Sequence, residues 1–351
     1  MNTNASISKR HDPRFNDAEP ESHSGVPTSA EPTGNGFRIV HISDPHLSRQ
    51  FYREHIKSFK LLLKSLLASG FDHLIITGDI VSTGEEDDYY LAREILGTLD
   101  LLDSKRLTVV PGNHDIFGGP HRAVDVLSFP KYIRNVDYAR NLGLFQVAFG
   151  ETLETTVSYG GDSVFPFVKK VGPFSIIGLN SILPWSLRRN PLGTNGSLDE
   201  RQRDALVRMR ADGLLSGTRP LIAMHHHFND LQEESAGGSM WRRIESRTMR
   251  MRGRSKALRL FESLGVRYVL HGHIHRNEIY SKGAITLLNG AGSICDDPVR
   301  FLKFNEIRNM DSHDEIRTVN LPIPFQLPSF SVPIRKLNYP IALPPLPSPV
   351  E

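Results

Sequence analysis

The chain has 351 residues, 39% hydrophobic and 23% charged, with a formal net charge of +3 and one cysteine. Such a length can bury a sizeable core without disulfide or metal staples, and so small a charge does not by itself argue for nucleic acid or a membrane as partner. A lone Cys295 excludes an intramolecular disulfide, and no apolar run is long enough to span a bilayer.

Residues 1–36 are rich in Ser, Glu, Pro, Asn and Gly, too polar to offset the entropy of ordering, and are expected to form a disordered N-terminal tail. They contain no apolar segment of signal-peptide type, which points to a cytoplasmic protein.

The first strand is expected in "FRIVHIS", residues 37–43. A helix follows over about residues 52–68, where Phe59, Leu62, Leu63, Leu66 and Leu67 recur at helical spacing and Gly70 supplies the stop. "HLIIT" reads as a buried strand. Thr83 and Glu86 have capping-box spacing ahead of a helix carrying Tyr90, Leu91, Ile95 and Leu96. "LTVV", "FSIIGLNS" and "RPLIAM" are further strands, with a helix after a second capping-box pattern, Ser197 and Glu200, between the last two. A helix over residues 255–264, ended by Gly265, leads into the strand "VRYVL".

Near-continuous apolar strands alternating with helices indicate an α/β layered fold around buried sheets. The chain shows no internal repeat. From Leu321 it becomes proline-rich, which rules out a central strand or a helix and suggests an extended strap or loose tail. The expected organisation is therefore a tail over 1–36, a catalytic domain over 37–320 with a basic insert near 229–256, and a C-terminal strap over 321–351.

Five of the expected strands end in metal-competent side chains. Asp44 and His46 follow the first, Asp79 the second, and Asn113, His114 and Asp115 the third. His225, His226 and His227 follow "RPLIAM", and His273 and His275 follow "VRYVL". Ligands in α/β sheets bind beyond the carboxyl ends of the strands, and parallel strands bring those ends to one edge. Asp44 and His46, like His273 and His275, are two residues apart and in extended backbone would face one side. Gly78, Gly112 and Gly272 each precede one of these residues and allow a tight turn. Carboxylate, amide oxygen and imidazole together suit transition ions such as Mn, Fe or Zn better than Ca or Mg. Eight or so donors exceed the needs of one such ion but suit two, roughly 3.5–4 Å apart, sharing a carboxylate. Adjacent extended side chains point to opposite faces, so His225, His226 and His227 do not all serve one site.

The ordered set Asp44-Pro45-His46, Gly78-Asp79, Gly112-Asn113-His114-Asp115, a histidine of "MHHH" and Gly272-His273-Ile274-His275 resembles the signature of the calcineurin-like metallophosphoesterases, over about residues 37–292. That resemblance implies a four-layer α/β/β/α sandwich and a dinuclear site. Asp44, His46 and His275 would hold one metal, Asn113, His225 and His273 the other, and Asp79 would bridge them. It favours His225 over His226 as ligand. It makes His114 the side chain that contacts the phosphate and assists the leaving group, with Asp115 orienting His114. The implied cofactors are two divalent or trivalent transition-metal ions, and the implied substrate is a small phosphoester, attacked by a hydroxide bridging the metals.

Within the family, "ISDPHL", "GDIVSTGEEDDYYLAREIL" and "GTNGSLDERQ" look most like the cyclic-nucleotide and glycerophosphodiester phosphodiesterase branch. A lipid-precursor pyrophosphohydrolase and a nuclease share the signature and remain alternatives, as does a non-catalytic scaffold, although every matched ligand position is occupied. The basic stretch "WRRIESRTMRMRGRSK", residues 241–256, is either a solvated face or a surface for anions, lipid or nucleic acid. His41 and His271 read as structural, His121 as a loop residue, Cys295 as inert, and Asn180 and Ser181 as neighbours of the site without an assigned role.

Overall fold

A computed structural model of the chain describes residues 36–120, 123–229, 249, 251–275, 278–290, 293–294, 301–310 and 313–322. The expected N-terminal tail up to residue 35, most of the basic insert, residues 323–351 of the C-terminal strap, His121 and Cys295 lie outside them.

Strand β1 (Phe37–Ile42) is buried over its last four residues and runs parallel to β2 (His73–Ile76), with Val40 opposite Leu74. β2 in turn runs parallel to β3 (Leu107–Val109). Helices α1 (Arg53–Ser69) and α2 (Glu86–Thr98) make the two crossovers. In α1 the residues turned inward are Phe59, Leu62, Leu63 and Leu66, the stripe expected of a helix covering a sheet. Gly70 closes it at φ 69°, its amide bonded to the Leu67 carbonyl.

The chain returns to this sheet at its far end. β13 (Phe301–Asn309) pairs antiparallel with β1, and β14 (Asp314–Pro322) forms the edge, giving the order β14-β13-β1-β2-β3. Pro322 ends an edge strand, where a missing donor costs no ladder bond.

Between β3 and the second sheet lie α3 (Asn113–Phe117), α4 (Ala123–Ile133), α5 (Tyr138–Ala148) and a 3-10 turn at Gly150–Leu153. The second sheet draws on β4 (Val157–Ser158), β5 (Phe167–Val171), β6 (Phe174–Gly178), β8 (Arg219–Ala223), β10 (Tyr268–His271), β11 (Glu278–Lys282) and β12 (Ile285–Asn289). Their order is β11-β12-β10-β8-β6-β5-β4, with a parallel centre from β12 to β6. α6 (Glu200–Ala211) links β6 to β8, and α7 (Arg254–Ser263) precedes β10. A two-stranded patch joins β7 (Gly196–Ser197) to β9 (Met251–Arg252).

The pleat shows how the layers stack. Leu221 and Ala223 belong to the buried cluster shared with the first sheet and with α1, α2 and α5, whereas Ile222 and Met224 pack with Leu206 and Phe261 of the outer helices. Tyr268 and Leu270 face one way and Val269 the other. A sheet buried on both faces needs apolar residues at every position, which is why these strands lack alternation. Two sheets lie inside and helices outside, the four-layer α/β/β/α sandwich.

One polar tie crosses that inner core. Lys169 of β5 is 2% exposed, and its Nζ donates to the carbonyls of Ser104 (2.9 Å), Leu107 (2.7 Å) and Thr152 (3.0 Å). Burial pushes its pKa down to about 7.

Both expected capping boxes are corrected by the structure. α2 begins at Glu86 with Glu85 at its cap, while the Thr83 hydroxyl donates to Asp88 (2.6 Å). α6 is capped by Asp199, whose carboxylate accepts from the Gln202 amide (2.8 Å), because Ser197 is taken into β7.

Candidate metal centre

The five ligand-bearing strands are divided between the sheets, β1, β2 and β3 in one and β8 and β10 in the other. Their carboxyl ends meet at one edge of the sandwich. The loops after β1 and β2 are laced together by backbone bonds from Asp44 N to Gly78 O (3.1 Å), His46 N to Asp79 O (3.0 Å) and Leu47 N to Ile80 O (2.9 Å).

Asp44 and His46 are not extended. Asp44 (φ 57°), His46 (φ 45°), Asp79 (φ 48°) and His273 (φ 77°) all take left-handed backbone, at about 1–2 kcal/mol each. The chain therefore turns as soon as each strand ends, and the side chains converge where extended backbone would have carried them past one another. Strain held at four neighbouring residues is a mark of a functional site. Gly78 (φ 91°) is needed for a further reason: a Cβ there would lie 2.7 Å from His225 Nδ1 and 2.6 Å from the Gly112 amide nitrogen.

The donor atoms fall into three overlapping groups, each within 4.8 Å: Asp44, His46 and His275; His46, Asp79 and His114; Asp79, His225 and His273. His46 Nε2 lies 3.0 Å from His275 Nε2, and Asp44 Oδ1 lies 3.6 Å from His275 Nε2. On the other side His225 Nε2 lies 3.1 Å from both Asn113 Oδ1 and His273 Nδ1. Asp79 Oδ2 stands between the groups, 3.9 Å from His46 Nε2 and 3.3 Å from His225 Nε2. With bonds of about 2.1 Å, the edges of an octahedron and a tetrahedron are about 3.0 and 3.4 Å. The spacing of these donors is that of a coordination shell. Except for His275, whose side chain is 46% exposed, and His114, which is partly buried, these residues are buried.

Tautomers can be assigned at the key imidazole. His225 Nδ1 donates to the Thr77 carbonyl (2.8 Å), which leaves Nε2 facing Asn113 Oδ1, His273 Nδ1 and Asp79 Oδ2. A nitrogen lone pair converging on these acceptors is stable only with a cation among them. In the metal-free chain a proton takes that place: burial would lower His225, but Asp79 and Asp44 outweigh it and raise it to about 9. Burial also pushes Asp79 up, yet His225, His114 and His46 hold it well below the usual carboxylate range. His46 and His273 are held neutral by burial and by neighbouring histidines. Neutral His46 and His273 and ionised Asp79 are forms that bind metal, and at His225 a metal cation would take the place of the proton, so the residues present fit a pair of divalent ions.

His226 points elsewhere. Its Nδ1 meets the Ser181 hydroxyl (2.8 Å) and its Nε2 the Thr194 carbonyl (3.2 Å). Ser181, which had no assigned role, also accepts at Oγ from the amides of His225 (3.3 Å) and His226 (3.2 Å), fixing that turn. His227 stacks on His273, ring centroids 5.7 Å apart. His41 is fully buried with Nε2 on the Thr77 hydroxyl (2.9 Å), and His271 Nε2 meets the Tyr280 hydroxyl (2.8 Å), both packing roles. Asn180 bonds Tyr138 and Gln202 and stays out of the cluster.

One expected contact is replaced. Asp115 does not orient the His114 ring: its Oδ1 accepts from the Val81 amide (2.9 Å) and its Oδ2 from the Gly112 amide (2.8 Å). It therefore joins the loops after β2 and β3. The His114 ring is placed by the Ser82 carbonyl, 3.3 Å from Nδ1, by edge contact with His46 and by Gly119 behind it. The His114 amide donates to Asp79 Oδ1 (2.7 Å), leaving Oδ2 to face both donor groups.

This arrangement, carried by a four-layer sandwich, defines a class. The sequence profile of the Calcineurin-like phosphoesterase family matches residues 37–277, and the chain belongs to that family. Among solved structures it resembles a dimetal phosphatase from Danio rerio, with a TM-score of 0.51 and 12% identity over 82% of this chain and 99% of that one. It also resembles a purple acid phosphatase from yellow lupin (Lupinus luteus) seeds, with a TM-score of 0.50 and 12% identity over 83% of this chain and 55% of that one. At such identities the likeness is one of fold. Comparison with curated protein sequences gives no match. No helix among the described residues is long and apolar enough to cross a membrane.

Proposed function

We propose that the protein hydrolyses a small phosphodiester at a two-metal centre, with Asp44, His46 and His275 on one ion, Asn113, His225 and His273 on the other, and Asp79 shared. The observation that carries this reading is the pair of donor groups, spaced as coordination shells, with Asp79 Oδ2 between them. Two ions bound there would draw charge from the phosphoryl oxygens and acidify the attacking water.

The chain's own residues supply the rest. In hydrolysis the water oxygen bonds to phosphorus, the ester P–O bond breaks, and the leaving oxygen takes a proton. His114 is the group for that proton, because it reaches within 4.8 Å of the His46 and Asp79 donors but stands outside the two proposed ligand sets, and the Ser82 carbonyl at Nδ1 leaves Nε2 for the substrate. Asp115 keeps the two loops that carry Asp79 and His114 in register. The preference for a diester over a monoester rests on the likeness of "GDIVSTGEEDDYYLAREIL" and "GTNGSLDERQ" to the phosphodiesterase branch.

The test is turnover of bis-p-nitrophenyl phosphate beside p-nitrophenyl phosphate by metal-stripped protein given Mn²⁺. Metal-dependent turnover favouring the diester is expected. A preference for the monoester would keep the site and discard the diester. Two bound metals with no turnover of either would favour a narrow substrate such as a lipid pyrophosphate, or a scaffold. His114→Ala should lower the rate about 100-fold and keep both metals, and full activity would remove His114 from its role.

A further inference from the structure

The chain leaves β6 at the carboxyl edge of the second sheet, beside β8, the parallel strand that leads into His225. Between Ile182 and Leu198 it forms an arm that is held at its base and closed at its tip. At the base the Tyr138 hydroxyl donates to the Ile182 carbonyl (3.0 Å), the Ser197 amide donates to the Ser181 carbonyl (2.9 Å), and His226 Nε2 meets the Thr194 carbonyl (3.2 Å). Inside the arm Asn190 is fully buried, its side-chain amide bonded to the Leu183 carbonyl and its Oδ1 accepting from the Asn195 amide (2.9 Å). Ser186 and Asn190 exchange backbone bonds (2.9 and 3.4 Å), so Leu187, Arg188 and Arg189 are the tip of a narrow hairpin.

That tip carries side chains with nothing to pack on or pair with. Leu187 is 80% exposed, the most exposed large apolar side chain among the described residues. Pro184 is exposed as well, and Trp185 is partly buried, its ring under the Arg134 guanidinium at 5.8 Å. Arg134, Arg188 and Arg189 are exposed, and among the described residues none of them pairs with a carboxylate. Arg49, Arg140 and Arg201, equally accessible, each do. A single exposed leucine needs no explanation. One held at the end of a hydrogen-bonded hairpin, among unpaired guanidiniums that repel one another, is presented to something that takes up both apolar surface and positive charge. Nucleic acid would use the guanidiniums and gain little from an aliphatic tip. An anionic bilayer uses every part: leucine reaches the acyl boundary, tryptophan lies at headgroup level, and arginines meet lipid phosphates.

We infer that this arm docks the protein on the surface of an anionic phospholipid bilayer, with Leu187 entering the acyl boundary and Arg134, Arg188 and Arg189 on the lipid phosphates. The base of the arm is the edge that carries the metal donors, so docking holds the centre near the lipid surface. The inference stands on the arm alone and does not require the phosphohydrolase reading.

The test is co-sedimentation of the full chain at low salt with vesicles of phosphatidylcholine alone and of equal parts phosphatidylcholine and phosphatidylglycerol. Binding to the anionic vesicles should exceed binding to the neutral ones at least about 10-fold. Arg188→Ser together with Arg189→Ser should lower the partition coefficient roughly 10- to 30-fold. Leu187→Ser should lower it roughly 5- to 10-fold. Thermal midpoints should stay at the wild-type value, because all three side chains are exposed. No binding to anionic vesicles overturns the inference. So does binding that both variants keep, which would belong to another segment such as the basic stretch at residues 241–256. Loss in the arginine variant with Leu187→Ser binding as wild type would mark a general polyanion surface and overturns it too. A concentration-dependent dimer in sedimentation velocity without lipid, abolished by Leu187→Ser, would show that a second copy covers the tip, and likewise overturns it.

Discussion

His225 Nδ1 lies 2.8 Å from the carbonyl oxygen of Thr77, the residue that follows β2 of the other sheet. This one contact fixes the tautomer of the imidazole and aims Nε2 at Asn113, His273 and Asp79. It also separates three adjacent histidines into different roles. His225→Ala should lower bound metal from two ions per chain to about one, measured by elemental analysis after dialysis. His226→Ala should retain both ions and act on stability through the lost Ser181 and Thr194 bonds. Loss of a metal from His226→Ala and not from His225→Ala would reverse the assignment.

Asp115 ties two loops rather than a ring. Asp115→Asn keeps one acceptor and sets an amide N–H₂ against a backbone N–H, a loss of about 1–3 kcal/mol for a buried pair. The expected result is a lower urea midpoint together with reduced turnover. Wild-type stability with a shifted pH profile of turnover would instead show that Asp115 acts through the His114 imidazole.

Gly119 gives the His114 ring its space. Gly119→Ala places a methyl group 1.9 Å from Cε1, so the ring must swing away. Turnover should fall at least about tenfold, in the range of losing a general acid, while metal content stays at the wild-type value. An active variant would show that the ring is not held in place by this packing.

Lys169 makes stability depend on pH with a defined sign. Its folded pKa of about 7 lies below the ordinary lysine value of roughly 10.4. Below pH 7 both states carry the proton and the full penalty of burying it is present. As pH rises from about 7 to about 10.4 only the unfolded chain remains protonated, so this residue's contribution becomes more favourable. Across that window the gain is on the order of 5 kcal/mol. Subtracting urea unfolding curves of Lys169→Met from those of the wild type should reveal this rise. Parallel curves would show that the three carbonyls keep the ammonium charged throughout.

Most of what places the centre was legible in the linear pattern. Apolar runs bounded by glycine and polar residues gave β1, β2, β3, β6, β8 and β10, and the stripe Phe59, Leu62, Leu63, Leu66 gave α1 within a residue at each end. The short β4 and the hairpins β11–β12 and β13–β14 were not legible. An edge or half-exposed strand such as β11, buried only in part, lacks the continuous apolar signal of a central one. The helix caps misled because Thr83 turns its hydroxyl to Asp88 and Ser197 is drawn into β7, which leaves the cap of α6 to Asp199.

The sequence by itself determined that metal-competent side chains follow five strands, because strand burial and the residue after each strand are local properties. Only the tertiary structure decided how those residues divide their work. Thr77 and His225 are 148 positions apart, and the group that orients the imidazole is a backbone carbonyl, which every residue carries and no sequence pattern marks. The left-handed turns at Asp44, His46, Asp79 and His273 are likewise imposed by bonds between loops, against the intrinsic preference of those residues.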